Sequence, residues 1–287
     1  MRVYIDGRFY PEEEAKVSVF DHGYLYGDGI YETLRSYGGV VFRMDEHLLR
    51  LKNSARLMGL QLPAGSRGMA DAVYETLGEN ALRDAYIRIT VSRGPGEIGL
   101  DPALCPRPTL VIMVSQFKEY PREMYEKGVK VSVVATRRNH PECLDPAIKS
   151  TNFLNNIFAK LEAKRAGAVE GIMLNHAGYV AEGTVSNVFI VKKNTLFTPP
   201  AIAGILEGVT RSVVMRLAGK MGIPVFEELF NEVQVWQADE VFLTNTSMEV
   251  MPVTQVDETT IAGGVPGPVT QDIGRAYQEE VGRGATT

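Results

Sequence analysis

The chain has 287 residues, 45% hydrophobic and 23% charged, with a formal net charge of -5. That length supplies core for one very large domain or two ordinary ones, and the acidic balance disfavours an electrostatic nucleic-acid binder, which would show basic clusters. No apolar run approaches the roughly 20 residues that span a bilayer, and the N-terminal MRVYIDGRFYPEEEA lacks an apolar signal core, so no membrane association is expected.

The first residues read as a hairpin, VYI and RFY flanking the turn Asp6-Gly7. The Gly-rich DHGYLYGDG follows, then a second hairpin, YETLRSY and VVFRM around Gly38-Gly39. A helix is expected from Asp45, as N-cap, to a stop at Gly59, with Leu51, Ala55 and Met58 on one apolar face. Another covers Met69 to Leu77. Strands AYIRITVS and TLVIMVSQF are separated by the loop RGPGEIGLDPALCPRP. The apolar pattern breaks near Glu119-Tyr120-Pro121-Arg122, which sets an expected small domain at 1–118, a linker at 119–128 and a large domain at 129–287.

Strand VKVSVVAT opens the second half, and a loop leads to Lys149. A helix from about Asn152 to Arg165 carries Leu154, Ile157, Phe158 and Leu161 as its apolar face. GIML, the turn Asn175 to Gly178, and NVFIVKK suggest further strands. A helix from about Thr210 to Met221 buries Val213, Val214, Leu217 and Met221 and stops at Gly222. Strand IPVFEE, a short helix, strands EVFLTN and EVMPV, and a helix from Pro268 to Val281 complete the chain, leaving GRGATT frayed. The whole reads as two mixed α+β domains.

Cys105 and Cys143 lie in unrelated contexts, as reduced thiols of a cytoplasmic protein would. His22, His47, His140 and His176 form no H-x-x-x-H pair, so no metal site is expected. Gly94, Gly96 and Gly99 approximate a dinucleotide fingerprint, but Pro102 and Pro106 forbid the helix that must follow, and the segment reads as a loop.

Three features point to a phosphate-bearing cofactor. Lys149, in PAIKSTNF, stands at a strand-to-helix junction; a lone lysine is usually a solvated charge, but burial beside apolar groups lowers its pKa and frees its lone pair for Schiff-base chemistry. Glu182, in YVAEGTVSN, is either an exposed turn carboxylate or a group that holds a proton on a pyridine nitrogen. Gly208-Val209-Thr210-Arg211 opens a helix whose N–H groups and dipole favour an anion, or is simply a capped helix. Thr244-Asn245-Thr246-Ser247 is a similar polar turn. Arg50 lies on the polar side of its helix, as a surface salt bridge would. In strand 85–92, Tyr86 and Arg88 share one face while Ile87, Ile89 and Val91 share the other, so an aromatic and a cation point together towards a cleft or solvent.

The motifs YGDGIYETLR, EHLLRL, DAYIR, GLDP, TRRNHP, IKSTNFLNN, YVAEGTVSNVF, LFTPP, ILEGVTR and DEVFLTNT to MPV occur in order along almost the whole chain. With them the sequence resembles the fold type IV pyridoxal-phosphate (PLP) enzymes, and within them the branched-chain amino acid aminotransferases. The resemblance implies the two-domain, D-amino acid aminotransferase-like α+β architecture. It implies that Lys149 carries PLP as a Schiff base and acts as the base that moves a proton on the substrate. Glu182 pairs with the pyridinium nitrogen. Arg50, the Val209 and Thr210 amides and Thr246 hold the phosphate, and Leu196 packs on the ring. The Thr246-Ser247 turn receives the substrate carboxylate, Tyr86 and Arg88 line the side-chain pocket, and Tyr31 closes it. Arg88 also meets the distal carboxylate of glutamate. The implied partners are amino acids and 2-oxo acids, and the implied assembly is a homodimer or a set of dimers, with a loop of the neighbouring subunit bordering the pocket.

The implied reaction moves the amino group of Leu, Ile or Val to 2-oxoglutarate. Two departures bear on it. Phe153 stands where the family usually has a tyrosine that bonds the cofactor's phenolic oxygen. Tyr31 stands where branched-chain enzymes more often have phenylalanine, which resembles the D-amino acid aminotransferases. Those also place an arginine and a histidine after the YIR strand, where this chain reads GPGEIGLDP. The alternatives are a D-amino acid or (R)-amine transaminase and an aminodeoxychorismate lyase of the same fold.

Overall fold

A computed structural model describes residues 1–63 and 66–285. Its contacts divide the chain into two compact units. One is built from Met1–Lys118 and Ile148–Asn152, with the stretch from Val281; the other from Glu119–Ala147 and Phe153–Glu280. Chain order alone assigns Lys149 to the second half; contacts group it with the first unit.

In the first unit β1 (Arg2–Ile5) and β2 (Arg8–Pro11) form the expected hairpin. Asp6 and Gly7 both take positive φ, 46° and 90°, the geometry that two-residue hairpin turns require. The Gly-rich stretch folds into a short helix, α1 (His22–Tyr26), capped by Asp21. Then come β3 (Gly29–Tyr37), β4 (Val40–Val41), α2 (Met44–Leu57), α3 (Ser66–Glu79), β5 (Ala85–Ser92) and β6 (Thr109–Gln116). The strands make an antiparallel sheet in the order β2-β1-β6-β5-β3-β4. One face, with Ile30, Leu34, Ile87, Ile89, Val91 and Ile112, is fully buried in a core shared with Leu48, Leu51 and Ala55 of α2. Asp45 is not the N-cap of α2: Arg43 takes that place in the left-handed region (φ 55°), and Asp45 sits in the first turn, where the helix dipole favours it.

The second unit contains α4 (Arg122–Lys127), which lies within the stretch expected to link two domains, β7 (Val129–Val133), α5 (Leu154–Arg165), β8 (Glu170–Leu174), β9 (Val180–Gly183), β10 (Asn187–Lys192) and β11 (Thr195–Thr198). It continues with α6 (Val209–Lys220), β12 (Val225–Glu227), α7 (Glu232–Trp236), β13 (Glu240–Asn245), β14 (Glu249–Val256), β15 (Thr259–Thr260) and α8 (Pro268–Ala285). The sheet runs β12-β11-β10-β13-β14-β7-β8-β9, with β15 on β14. It mixes parallel and antiparallel pairs. Glu240, buried at the start of β13, accepts the Val269 and Thr270 amides at the first turn of α8. That helix continues past the expected end at Val281 through most of the GRGATT stretch; residues 286 and 287 lie outside the described residues.

Two apolar assignments are overturned. On α5, Leu154, Ile157, Phe158 and Leu161 are exposed, by 45–63%. The buried side is Asn156, Ala159 and Ala163. The cause is close packing on β8: a Cβ at Gly171 would lie 2.9 Å from Val134 Cγ1 and 3.3 Å from the Ala159 carbonyl, so only small residues fit at this contact. Met221, expected in the core, is also exposed; it follows the last residue of α6, where the helical period has ended. Val213, Val214 and Leu217 are buried as their spacing requires. Among the described residues no helix is long and apolar enough to cross a membrane.

Candidate active site

In the first unit, the expected alternation along β5 is observed. Ile87, Ile89 and Val91 are fully buried, while Tyr86 and Arg88 are partly open on the other face. Register with β3 sets Thr33 opposite Arg88 and Tyr31 opposite Thr90, so Tyr31 belongs to that same face. The Arg88 guanidinium carbon stands 4.0 Å from the centroid of the Tyr31 ring, and the Lys149 ammonium nitrogen 4.6 Å from it. Two cations thus share one aromatic ring, an arrangement its quadrupole favours. Tyr86 joins through its hydroxyl, 3.3 Å from Thr33 Oγ1. Burial holds the Tyr31 phenol neutral well above its ordinary range, against the opposing pull of Arg88.

The backbone around Lys149 is fixed by partners from two elements. Its carbonyl accepts the Tyr31 amide (3.0 Å) and its own amide donates to Ser54 Oγ of α2 (3.1 Å). Ser150 bridges Ile30, and the Thr151 amide donates to the Gly29 carbonyl at 2.9 Å. Nothing local in PAIKSTNF signals these contacts; they come from residues 95 to 122 positions away.

Arg50 is not a surface side chain. Its Nε and Nη2 donate to the two oxygens of Glu32, at 2.7 and 2.8 Å, and His47 Nδ1–H donates to Glu32 Oε2 at 2.8 Å. Glu32 is fully buried. Burial alone would raise its pKa; the Arg50 guanidinium and His47 outweigh that and hold it far below the carboxylate range. Burial pushes His47 down, Glu32 opposes, and Arg50 and Lys149 add to the lowering, so the imidazole is held towards its neutral form. Glu32 and His47 lie inside the motifs YGDGIYETLR and EHLLRL without an assigned role, but one signal was available. Glu32 lies between Ile30 and Leu34 on the apolar face of β3, where a carboxylate needs a partner.

In the second unit, Glu182 of β9 is buried. Arg138 Nε donates to its Oε1 (2.7 Å) and the Leu206 amide to its Oε2 (2.9 Å). Each oxygen keeps a second lone-pair site, so the carboxylate can still accept a pyridinium proton. Arg138 is itself held by Asn155 of α5. Leu196 is fully buried on β11, between β10 and β12.

The first turn of α6 has the character of an anion cradle. Its N-cap, Gly208, supplies no side-chain cap to the Val209 and Thr210 amides. A Cβ at Gly208 would fall 2.1 Å from Asn187 Oδ1, while Asn187 Nδ2 donates to the Leu206 carbonyl, so the loop is pressed onto β10. Thr210 is buried. Thr244 Oγ1, on the strand against which α6 packs, and Ser186 Oγ, just before β10, are buried hydroxyls without a hydrogen-bond partner. Orphaned buried hydroxyls beside an uncapped helix N-terminus fit a phosphate.

The turn at Thr246 and Ser247 differs from the expected arrangement. Asn245 Oδ1 accepts the amides of Ser247 and Met248 (2.8 and 2.7 Å), and Asn245 Nδ2 donates to the Val185 carbonyl. The Ser247 amide, assigned above to a substrate carboxylate, is therefore given to Asn245 in this structure. Among the described residues no group of three His, Cys, Asp or Glu side chains is placed to hold a metal ion.

Residues 29–256 match the family model for amino-transferase class IV. A protein of Methanocaldococcus jannaschii, provisionally named a branched-chain-amino-acid aminotransferase, is 43% identical over 97% of this chain and 96% of its own length. A D-alanine aminotransferase of Bacillus licheniformis is 35% identical over 98% and 97%. An aminodeoxychorismate lyase of Bacillus subtilis is 33% identical over 97% and 94%. Among solved structures, the branched-chain amino acid aminotransferase of Escherichia coli superposes with a TM-score of 0.94 at 33% identity, covering 97% of this chain and 93% of that one. A match spanning most of the chain, together with relatives above 30% identity over nearly their full lengths, shows that this chain belongs to the class IV aminotransferase family, with that family's α+β fold.

Proposed function

We propose that this transaminase moves the amino group of branched-chain L-amino acids to 2-oxoglutarate, with pyridoxal 5'-phosphate as cofactor. The observation that carries the reading is the Tyr31 ring with the Lys149 amine and the Arg88 guanidinium both against it. It sets a nucleophilic amine and a carboxylate receptor within one patch of the sheet face.

Bound at Lys149, the cofactor supplies an electron sink for the substrate α-carbon. Lys149 Nζ would be the base that takes the proton from that carbon and later gives it back. Glu182 keeps a proton on the pyridine nitrogen. Arg50 of the first unit, and the Val209 and Thr210 amides and Thr246 of the second, are the groups that would hold the phosphate, and Leu196 is the one that would hold the ring. Thr246 and Ser247 orient the substrate carboxylate; for Ser247 this requires the carboxylate to displace Asn245 Oδ1. Tyr31 and Tyr86 form pocket walls suited to branched side chains. Arg88 receives the second carboxylate of glutamate or 2-oxoglutarate, which a branched-chain substrate lacks.

That division gives a sharp expectation. Arg88→Ala should weaken the half-reaction with glutamate by about 100-fold, the range for loss of a charged hydrogen-bonded partner. It should leave the half-reaction with L-leucine within severalfold. Single-turnover kinetics of each half-reaction measure this, and equal losses in both would remove Arg88 from carboxylate recognition.

Tyr31 and the 35% identity to a D-alanine aminotransferase favour a second reading, transamination of D-amino acids. Incubation with L-leucine or D-alanine plus 2-oxoglutarate, followed by chiral analysis of the glutamate formed, separates the two. L-Glutamate from L-leucine is expected. D-Glutamate from D-alanine alone would replace the first reading by the second, and pyruvate from aminodeoxychorismate would indicate the lyase.

We place the protein in the cytoplasm, with Cys105 and Cys143 as free thiols, and as a homodimer or an assembly of dimers. Phe20, Tyr24, Ile98 and Leu100 are exposed in the first unit, Leu100 by 83%, and the α5 stripe is exposed in the second. Apolar surface in such runs supports the reading of a contact with another chain. Light scattering should give an even multiple of the monomer mass; a monomer at micromolar concentration contradicts this.

A further inference from the structure

We propose that Glu32 is a positioning residue for cofactor phosphate: it fixes the Arg50 guanidinium in the plane from which that group receives the phosphate. The inference rests on the reading of Arg50 as a phosphate anchor and adds the residue that aims it.

A guanidinium at the end of a long, freely rotating side chain is a poor anchor unless something holds it, because ordering it at the moment of binding subtracts from affinity. Here the holding group is built in. Glu32 takes Nε and Nη2 of Arg50 as parallel hydrogen bonds of 2.7 and 2.8 Å, the fork geometry that fixes both the position and the plane of a guanidinium. The carboxylate has no access to solvent. Its own orientation is set by His47 Nδ1–H at 2.8 Å. His47 and Arg50 stand one turn apart on α2, and Ser54, a further turn on, receives the Lys149 amide. One helix face and one strand therefore hold the phosphate anchor and the backbone of the cofactor-bearing lysine in a single frame. A buried carboxylate on the apolar face of β3 costs desolvation. Packing alone gives no reason for it, because Ile30 and Leu34 fill the neighbouring positions of that face with hydrocarbon.

The test compares two probes, pyridoxal 5'-phosphate and pyridoxal, which differ only in the phosphate. Both are titrated into the apoprotein by fluorescence, for wild type, Glu32→Gln and Arg50→Gln. Glu32→Gln is expected to raise the Kd for pyridoxal 5'-phosphate by about tenfold or more, the scale of a lost charge-assisted hydrogen bond. It should leave the Kd for pyridoxal within about twofold. Arg50→Gln should behave the same way, and the double variant should be little worse than either single one, because the two residues act as one unit. Glu32→Asp, which keeps the charge, is included with a thermal melt of each apoprotein and should recover part of the lost affinity. Equal weakening of both probes by Glu32→Gln would mean a merely structural role and overturn the proposal. So would unchanged binding of both, or additive effects in the double variant. Failure of wild type to bind pyridoxal 5'-phosphate at all would instead sink the functional reading itself.

Discussion

Lys149→Ala is expected to lower transamination by at least about 10⁴-fold, the joint scale of losing a proton-transfer base and a covalent attachment point. It is also expected to abolish the visible absorption of a cofactor held through Nζ. The substitution removes the contact of the amine with the Tyr31 ring but leaves the backbone partners of the residue in place. The carbonyl takes the Tyr31 amide and the amide donates to Ser54 Oγ, and alanine keeps both bonds. The melting temperature of the apoprotein should therefore stay within a few degrees of wild type. Lys149→Arg is the informative companion. It keeps a cation near the Tyr31 ring, but guanidinium stays protonated and cannot act as nucleophile or base. It should be as inactive as alanine. Activity retained by the arginine variant would mean that charge, rather than an amine lone pair, is what the site needs.

The second large effect is expected at Glu182, where chemistry and stability can be separated. Glu182→Ala leaves the Arg138 guanidinium buried opposite an empty place, with Arg138 only 10% exposed. Stripping one partner from such a pair costs about 3–5 kcal/mol, visible as a fall in the denaturation midpoint. Glu182→Gln keeps the shape and an oxygen for one of the two present donors, but it leaves the Arg138 charge unbalanced and turns an NH2 towards the other donor, so only part of that stability should return. A neutral amide cannot hold a proton on a pyridine nitrogen, so turnover should still fall by about 100-fold or more, as when a preorganised charge is removed from a reacting centre. A glutamine variant that turns over like wild type would confine Glu182 to a structural role.

The sequence made some of this legible and hid the rest for identifiable reasons. Alternation in AYIRITVS placed Arg88 and Tyr86 on the open face because neighbouring side chains of a strand must diverge. Asp6-Gly7 and Gly208 were readable because each backbone conformation or close approach there admits few residue types. Helical spacing misled at α5. Periodicity identifies an apolar stripe but not which neighbour covers it, and within this unit the sheet takes Ala159 and Ala163 instead. Strand alternation puts Glu32 on an apolar face, but its pairing with His47 and Arg50, like that of Arg138 with Glu182, was hidden because these partners come from other elements. Asn245 is different: its side chain claims, two residues on, an amide that the family resemblance assigned to substrate.

The central claim is that one particular amine joins the cofactor, and peptide mapping after borohydride reduction tests it most directly. Holoprotein incubated with pyridoxal 5'-phosphate, reduced and digested, should carry the phosphopyridoxyl mass on the peptide containing Ile148-Lys149-Ser150, at Lys149 alone. The mass on any other lysine, or on none while the protein still transaminates, would contradict the account.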